Sequence, residues 1–504
     1  MEPTKRIIVN TLAQHIRSII NIGLSLYSTR LVLQALGESD YGVFSLVAGV
    51  VAMLGFLTNA MVVTTQRQLS FLHGKGDMNH VRRMFSNSLL LHILFGLLLV
   101  AILCAIRPLL FNGFLNIAPD RTAIAANVYY LVILSLFVTF LAAPYRALFI
   151  ARENIVYISI IDVLDGFFKL FFALWLLTYG ADRLIAYAWT TVAIMAFNYL
   201  AFALWARSHF EESVMLPKRS DICRQDMKEL TGFAGWTIYS MGCIIGRTQG
   251  VAIILNRFFG TVTNAAYGLA QHVFGAVMFV SQAIVNAISP QLIKAEGRGD
   301  RQHMLRLAEA LSKYSFLLLS MIVIPLVFEM PAVLSLWLDK VPENTVLLCR
   351  FILISALLDQ TTIGLGTANQ AIGRIRNYSL AVNTIKVLTL PFFWLILAQG
   401  HGVEAAMWCY LIFECVCALT RLPFLKYTAG LSITHFSKHV FLRLLMPTLA
   451  VVLVSWAITN YLEMPVRFLV TGAASVVTAT LFIWLFALER DEKAKVVQYI
   501  QRKS

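Results

Sequence analysis

The chain has 504 residues, of which 59% are hydrophobic and only 13% are charged. Soluble domains average about 45–50% apolar and roughly 25% charged residues, so this composition excludes an ordinary soluble enzyme and predicts a protein that crosses a membrane many times. The 41 Lys and Arg residues against 27 Asp and Glu give a net charge of +14. Such an excess is typical either of a nucleic-acid-binding surface or of positively charged cytoplasmic loops.

Neither the N-terminal residues nor the cysteines indicate a secreted protein. The stretch 1–18 lacks the short apolar region and small-residue cleavage site of a signal peptide, so we expect the first apolar segment to remain as a transmembrane helix. The seven cysteines show no CxxC spacing. We therefore predict no disulfide framework, no metal site and no cofactor.

A transmembrane helix needs about 20 predominantly apolar residues. Fourteen segments of this kind follow one another, at approximately 9–35, 42–66, 85–106, 124–145, 155–179, 183–206, 232–256, 265–289, 314–337, 345–370, 377–398, 404–420, 444–460 and 465–488. The loops on the external side are short, and the longest covers about 107–123. We therefore expect no folded domain outside the membrane.

The basic residues are distributed unevenly between the two sides of these spans. With the N-terminus inside, 29 of the 41 Lys and Arg residues fall on the cytoplasmic side, six fall on the opposite side and six lie within spans. An excess of Lys and Arg in cytoplasmic loops sets membrane topology. The distribution predicts a multi-pass protein with both termini in the cytoplasm, and it removes most of the support for nucleic acid as a partner.

One internal repeat relates the two halves of the chain at a shift of 223 residues. Residues 68–83, QLSFLHGKGDMNHVRR, match residues 291–306, QLIKAEGRGDRQHMLR, at seven of sixteen positions. Gly37 also aligns with Gly260 at this shift. Each copy follows the second span of a set of six, so spans 1–6 and 7–12 are predicted to be parallel repeats, an arrangement that transporters use. The expected organisation is an N-lobe over 1–228, a C-lobe over 229–440, and spans 13 and 14 with a cytoplasmic tail over 441–504.

The repeated GxGD segment predicts a tight loop between two helices. Its glycines supply a positive φ, and its aspartate caps the next helix. No strand precedes either copy, which excludes a dinucleotide-binding loop. We interpret the two segments as hinges or gates, and their residues are Gly74, Gly76, Asp77, Gly297, Gly299 and Asp300.

Several ionisable residues lie within the predicted spans of the first half. Such residues are costly in a bilayer and usually face a cavity or a partner. Asp162, Asp165 and Lys169 share one face of span 5, where Asp165 and Lys169 can pair at i, i+4. This set is either a self-neutralised structural cluster or an ion-coupling site. Arg17 and Arg30 lie in span 1, and Arg30 is near enough to the external end to snorkel.

The second half carries a comparable set. Arg247 lies near the middle of span 7, which contains no acid, so we expect it to face a cavity. Arg350 and Asp359 lie in span 10, Lys386 lies in span 11, and Glu414 in span 12 could neutralise Lys386. Asp359 and Glu414 are further candidates for ion coupling. Spans 1 and 7 contain cations only, which predicts a locally positive pathway suited to an anionic substrate held by Arg side chains.

The chain resembles the polysaccharide exporters of the multidrug/oligosaccharidyl-lipid/polysaccharide exporter superfamily, in particular the Wzx-type flippases of O-antigen (lipopolysaccharide) and capsule synthesis. The resemblance rests on the fourteen spans, the two six-span halves and the stretch RLVLQALGESDYGVFSLVAG at 30–49, with its LG-x3-YG turn. It implies an all-α, MATE-like fold whose two lobes alternate between inward-open and outward-open states in the bacterial inner membrane. It also implies a polyprenyl-pyrophosphate-linked oligosaccharide as cargo, with Arg247 the foremost contact, followed by Arg17 and Arg30, and with Lys386 and Arg350 lining the same cationic cavity.

Other functions compete with this interpretation. A multidrug exporter coupled to H⁺ or Na⁺ would share the fold, but such exporters commonly carry an acid in their first spans, and spans 1–4 contain none. A lipid II flippase would need a similar cationic lumen. A membrane-embedded glycan-modifying enzyme is less favoured because the acids of the external loops are scattered. Membrane lipids and other polysaccharide-assembly proteins are the remaining candidate partners.

Overall fold

Helices form all the regular structure in the part of the chain that the structure describes, which confirms the predicted all-α class. The structure is a computed structural model, and it describes residues 3–52, 54–111, 121–217, 219–338, 340–464, 466–489 and 492–494. Within its helices, the side chains of residues 3–8, 26, 38, 39, 50 and 52 are not described. Most of the predicted external loop 107–123 and the last residues of the predicted tail lie outside these ranges.

The first half of the chain forms six helices. They are α1 (Pro3–Ala52), α2 (Gly55–Lys75), α3 (Met78–Leu109), α4 (Thr122–Ala151), α5 (Ile155–Thr178) and α6 (Arg183–His209). A short 3₁₀ turn, Arg219–Asp221, follows them.

The second half contains one very long helix and a series of shorter ones. They are α7 (Arg224–Gly297), α8 (Arg301–Phe328), α9 (Met330–Trp337), α10 (Thr345–Gln360), α11 (Ile363–Ile372), α12 (Ile375–Tyr378), α13 (Thr384–Ala398), α14 (Val403–Ala429), α15 (Ile433–Phe436), α16 (Leu442–Tyr461) and α17 (Arg467–Phe482). Single π-helical turns at Ser379–Asn383, Ser437–Phe441 and Ile483–Ala487 adjoin α13, α16 and α17.

Ten helices in the described residues are long and apolar enough to cross a membrane, or eleven if α10 and α11, which meet at a 49° bend, form one broken span. Helix α7 counts once among the ten, although its 74 residues include the break at Gly260 and amount to about 110 Å of helix, counted along the chain at 1.5 Å per residue, against the roughly 30 Å core of a bilayer. Helix α5 is not among the ten, and it carries three charged residues. The total of fourteen spans stays a prediction.

The chain divides into two compact units. The first comprises residues 1–241 together with 293–299, and the second comprises 242–292 together with 300–504. In the first unit α1 packs on α5, and α4 packs on α2, α3 and α6. Fully buried aromatic side chains lie between α3 and α4, and the rings of Phe85 and Tyr145 meet edge to face at 5.4 Å.

In the second unit α8 is the helix on which the last two helices dock. It contacts α10, α11, α16 and α17. Arg467 at the start of α17 donates to Glu329 at the end of α8, with Nε to Oε1 at 2.9 Å, and Lys313 pairs with Glu492 at 2.7 Å. These ion pairs attach α17 and Glu492, which lie outside the sequence repeat, to α8.

The long helices α1 and α7 break at the glycines that the repeat aligns. Gly37 has φ 76° and ψ 170°, and Gly260 has φ 76° and ψ −168°. This region of backbone conformation is accessible essentially only to glycine. The sequence repeat therefore corresponds to a repeated break in the backbone, at the same position of each half.

We expect Gly260→Ala to lower the free energy of unfolding by about 1–3 kcal/mol, because alanine would be strained in this conformation. Gly268→Ala is the matched control, since Gly268 lies in the same helix without positive φ and with open space at its Cβ position. Thermal unfolding of the full chain in nanodiscs measures the difference. Equal unfolding temperatures for the two variants would contradict the strained break.

Candidate functional site

The two GxGD loops have the local geometry that the sequence predicts. Gly76 and Gly299 are left-handed, with φ of 77° and 79°. The carboxylate of Asp77 accepts a hydrogen bond from the backbone N–H of His80 at 3.0 Å. In the second copy Asp300 accepts from the backbone N–H of His303, also at 3.0 Å. Each loop thus ends one helix and caps the next in the same way.

The helix ends that carry these loops contact each other through glycines of the repeat. A Cβ atom on Gly74 would overlap the carbonyl oxygen of Lys294, and a Cβ atom on Gly297 would overlap the carbonyl oxygen of Phe71. The shift of 223 residues relates Phe71 to Lys294 and Gly74 to Gly297, so the contact is symmetric with respect to the repeat. We call it the glycine crossing. Glycine at both positions allows the two backbones to touch.

Ion pairs surround the glycine crossing. Lys294 Nζ lies 2.6 Å from Glu153 Oε1. Arg152 donates to both carboxylate oxygens of Glu212 at 2.6 Å, and His73 Nε2 lies 3.0 Å from the same carboxylate. Burial of Glu212 alone would raise its pKa, but the hydrogen bonds from His73 and Arg152 outweigh burial and lower the pKa to about 2. Glu212 therefore remains ionised at neutral pH and holds the loop at 210–217 against α2 and α4.

The second unit contains a buried chain of alternating charges, which we call the second-unit cluster. Arg247 of α7 pairs with Glu414 of α14. Lys386 of α13 lies 2.9 Å from Glu414 and 3.2 Å from Asp359 of α10. Arg421 of α14 lies 2.6 Å from Asp359. Three cations share two carboxylates, so the cluster has a net charge of +1.

The expectation that Arg247 faces an open cavity is wrong for this structure. Arg247 is only 7% exposed, and its guanidinium lies 4.5 Å from the ring centroid of Tyr410. Its acid partner comes from α14, which is 167 residues away in sequence, so the composition of span 7 alone could not reveal it. The predicted neutralisation of Lys386 by Glu414 does occur.

Arg421 is a member of the second-unit cluster that the sequence analysis placed outside the membrane. Helix α14 continues to Ala429, beyond the predicted end of span 12 at 420, and Arg421 is 5% exposed. Its guanidinium donates to the backbone oxygen of Asp359 and to Thr362 Oγ1, both at 3.2 Å. At the break between α10 and α11 this carbonyl accepts from the backbone N–H of Thr362 at 3.3 Å, and Arg421 is its second donor. Asp359 had no predicted cation partner, and this was the available signal for a further cation.

The first unit holds a corresponding set, the first-unit cluster. Asp162 of α5 accepts from Arg17 at 2.7 Å and from both terminal nitrogens of Arg146 at 2.8 and 2.9 Å. Lys169 pairs with Asp165 at 2.6 Å, as the i, i+4 spacing predicts. Here too three cations share two carboxylates. The sequence analysis missed Arg146 because it lies one residue beyond the predicted end of span 4.

The two remaining predicted cations lie outside both clusters. Arg30 is exposed, and among the described residues no ion pair involves it. Arg350 donates from Nε to the backbone oxygen of Val327 at 2.9 Å and lines a pocket of the second unit that also contains Glu404. In the described ranges, no three or more His, Cys, Asp or Glu side chains are grouped so as to hold a metal ion.

The fold is similar to those of solved membrane transporters. A crystal structure of MATE in complex with MaL6 gives a TM-score of 0.72 at 14% identity, over 87% of this chain and 98% of that one. An outward-facing multidrug resistance MATE family transporter of the MOP superfamily gives 0.71 at 15% identity, over 87% and 97% of the two chains. A MOP superfamily transporter from Pyrococcus furiosus, whose reverse polarity of the binding pocket suggests a different function, gives 0.72 at 15% identity, over 85% and 96%.

No protein-family model matches the chain, and no curated protein matches it. At 14–15% identity the likeness shows the fold alone, and it confirms the predicted MATE-like fold. Together with the apolar helices, it identifies a multi-pass membrane protein.

We expect Gly74→Ala to separate the two helix ends at the glycine crossing, because the added methyl group would overlap the backbone of Lys294. Hydrogen exchange of the full chain, followed by mass spectrometry, should then show faster amide exchange at 71–76 and 294–299. Gly232→Ala is the control, since Gly232 is exposed and has open space at its Cβ position. Unchanged exchange in Gly74→Ala would show that the crossing does not depend on glycine.

Proposed function

We propose that this chain is a flippase that moves a polyprenyl-pyrophosphate-linked oligosaccharide from the cytoplasmic to the periplasmic leaflet of a bacterial inner membrane. The observation that carries the proposal is the charge of the two clusters. In each, three Lys or Arg side chains contact two carboxylates, so each keeps one positive charge in excess. A surplus of cations at membrane depth favours an anionic cargo over a cationic one.

A pyrophosphate is the anionic group that best fits guanidinium donors. Arginine offers planar, paired N–H donors that match phosphate oxygens, and it remains charged at any physiological pH. Arg17 and Arg146 are partly exposed, with 22% and 36% of their side chains accessible. We assign them to the cargo's pyrophosphate ahead of Arg247, which is enclosed by Glu414 and Tyr410. Arg30 of the first unit, and Lys386 and Arg350 of the second, are secondary candidates for contact with the cargo.

The glycine crossing is the proposed gate. It joins the two copies of the repeat by backbone contact and is reinforced by the pairs Lys294–Glu153 and Arg152–Glu212. Alternating access requires a contact of this kind to break and re-form. The strained breaks at Gly37 and Gly260 are the proposed bending points of the two long helices. Gly76, Asp77, Gly299 and Asp300 keep each loop short, so that motion of one helix end is passed to the next helix.

A cation-coupled multidrug exporter is the main competing function, because a multidrug resistance transporter shares the fold. Such a mechanism needs a carboxylate that is free to bind Na⁺, H⁺ or a cationic drug. All four predicted coupling acids, Asp162, Asp165, Asp359 and Glu414, contact Lys or Arg in the structure. A coupling ion would have to compete with these fixed cations, and this favours the flippase.

Transport in proteoliposomes separates these functions. We expect the purified chain to expose a fluorescent polyprenyl-pyrophosphate-linked oligosaccharide to a membrane-impermeant quencher, and not to extrude ethidium along a Na⁺ or H⁺ gradient. Lipid II in a parallel reaction tests for a cell-wall flippase. Ethidium extrusion without lipid movement would overturn the proposal. Normal surface polysaccharide after deletion of the gene in an O-antigen- or capsule-producing host would overturn it as well.

A comparison of a single and a double variant tests whether Arg247 acts on the cargo or only supports the fold. We expect Arg247→Ala to lower the free energy of unfolding by about 3–5 kcal/mol, because one partner of a buried pair is removed. Arg247→Met with Glu414→Met removes both charges and should restore most of that stability.

Transport by this stable double variant is the decisive readout. Loss of transport would assign Arg247 to the cargo path, whereas full transport would limit it to a structural role. Arg467→Met with Glu329→Met is the matched control, since it removes another ion pair of the second unit that lies outside the cluster.

A further inference from the structure

The first unit contains a cavity that none of the predicted functions used. It lies among α1, α2, α4, α5 and α6 and has a volume of about 460 Å³. Sites for small molecules typically span about 300–1,000 Å³ and combine apolar walls with a few placed polar groups. The polar lining of this cavity is formed mainly by hydroxyl groups from three helices, including those of Ser28, Thr29, Ser135 and Thr190.

Two of these hydroxyls present acceptors to the cavity. Ser135 donates its proton to the backbone oxygen of Val132 at 2.7 Å, and Thr190 donates to that of Tyr187 at 2.7 Å. A hydroxyl has one proton and two lone pairs. Once the proton is committed to the helix, the oxygen can only accept a hydrogen bond from a ligand. A ligand rich in O–H donors complements such a wall.

One hydroxyl on the opposite wall lacks a partner. Ser28 is 6% exposed, and its Oγ makes no hydrogen bond within the described part of the chain. A buried hydroxyl without a partner costs about 1–3 kcal/mol. Its position at the cavity indicates that a ligand group completes its hydrogen bonding.

The rest of the lining is apolar, partly aliphatic and partly aromatic, and carries little charge. Tyr41, Phe44 and Tyr187 line the cavity, with the rings of Phe44 and Tyr187 at 4.6 Å. Of the lining residues, Lys169 is the one charged at neutral pH, and it pairs with Asp165 at 2.6 Å. A wall without a lining carboxylate gives a cationic ligand no counter-ion. Aromatic faces beside hydroxyl acceptors instead suit the apolar face and the hydroxyl edge of a sugar ring.

We propose that this cavity is a saccharide subsite, which holds a sugar residue of the cargo while the first-unit cluster holds its pyrophosphate. The inference rests on the proposed function, because it assigns a binding site to the oligosaccharide of the proposed cargo. It predicts that the sugar adds affinity of its own, beyond the contribution of the charged lipid.

Binding to three probes tests the subsite in the full chain in nanodiscs. The probes are undecaprenyl pyrophosphate, undecaprenyl pyrophosphate carrying di-N-acetylchitobiose, and free di-N-acetylchitobiose. If two hydroxyls each contribute one hydrogen bond to the sugar, the glycosylated lipid should bind roughly five- to 150-fold more tightly than the bare lipid. Equal affinities for the two lipids would overturn the subsite.

Variants of the cavity residues test whether the gain in affinity that depends on the sugar arises in this cavity. Ser135→Ala with Thr190→Val removes two acceptors and should abolish the gain while leaving the affinity for bare lipid unchanged. Ser28→Ala, which removes a hydroxyl without a partner, provides a second variant whose fold is at little risk. Thr480→Val is the matched control, because Thr480 is an exposed threonine bonded to its own helix in the second unit.

The saccharide subsite and the flippase function can fail independently in these experiments. Retention of the gain in both cavity variants would overturn the subsite while leaving the flippase proposal intact. Binding of free di-N-acetylchitobiose that the cavity variants abolish, without binding of either lipid, would support the subsite and contradict the flippase.

Discussion

Ionised side chains inside a bilayer are the constraint on which the rest of this structure depends. Each costs several kcal/mol in hydrocarbon unless it meets an opposite charge or water. In each unit, three cations lie around two carboxylates, and these ion pairs offset the cost of burying the charges. The irregular helices follow from the same constraint. Arg421 donates a second hydrogen bond to the carbonyl of Asp359 where α10 ends, and the π turn at Ser379–Asn383 directly precedes the helix that carries Lys386.

Pairing also determines what the clusters can do. Buried ion pairs contribute little net stability compared with apolar packing, so five charged residues per unit are a costly way to build a helix bundle. The surplus cation is the part that pairing does not explain. In the proposed flippase it is the electrostatic match for a diphosphate, and the hydroxyl-lined cavity of the first unit provides a neutral surface for the attached sugar. Charge and hydroxyl chemistry would thereby select the two halves of one cargo.

The sequence predicts most of the local backbone geometry and few of the contacts between residues that are distant in sequence. The repeat anticipates the matching conformations of Gly37 and Gly260, the left-handed Gly76 and Gly299, and the two aspartate caps, because these features depend on a few neighbouring residues. The Asp165–Lys169 pair follows from helical spacing. Partners brought by distant helices could not be predicted in this way. Arg247 finds Glu414 on another helix, and Arg146 and Arg421 were assigned to loops because apolar windows end at the first charge, whereas the helices continue.

The central claim is that the chain holds a lipid by its diphosphate. Native mass spectrometry of the full chain in nanodiscs tests it most directly, with undecaprenyl pyrophosphate and undecaprenol competing at equal concentration. The account predicts that the diphosphate lipid remains bound in large excess, and that substituting Arg17 and Arg146 with glutamine removes the preference. Equal retention of the two lipids by the unmodified chain would contradict it.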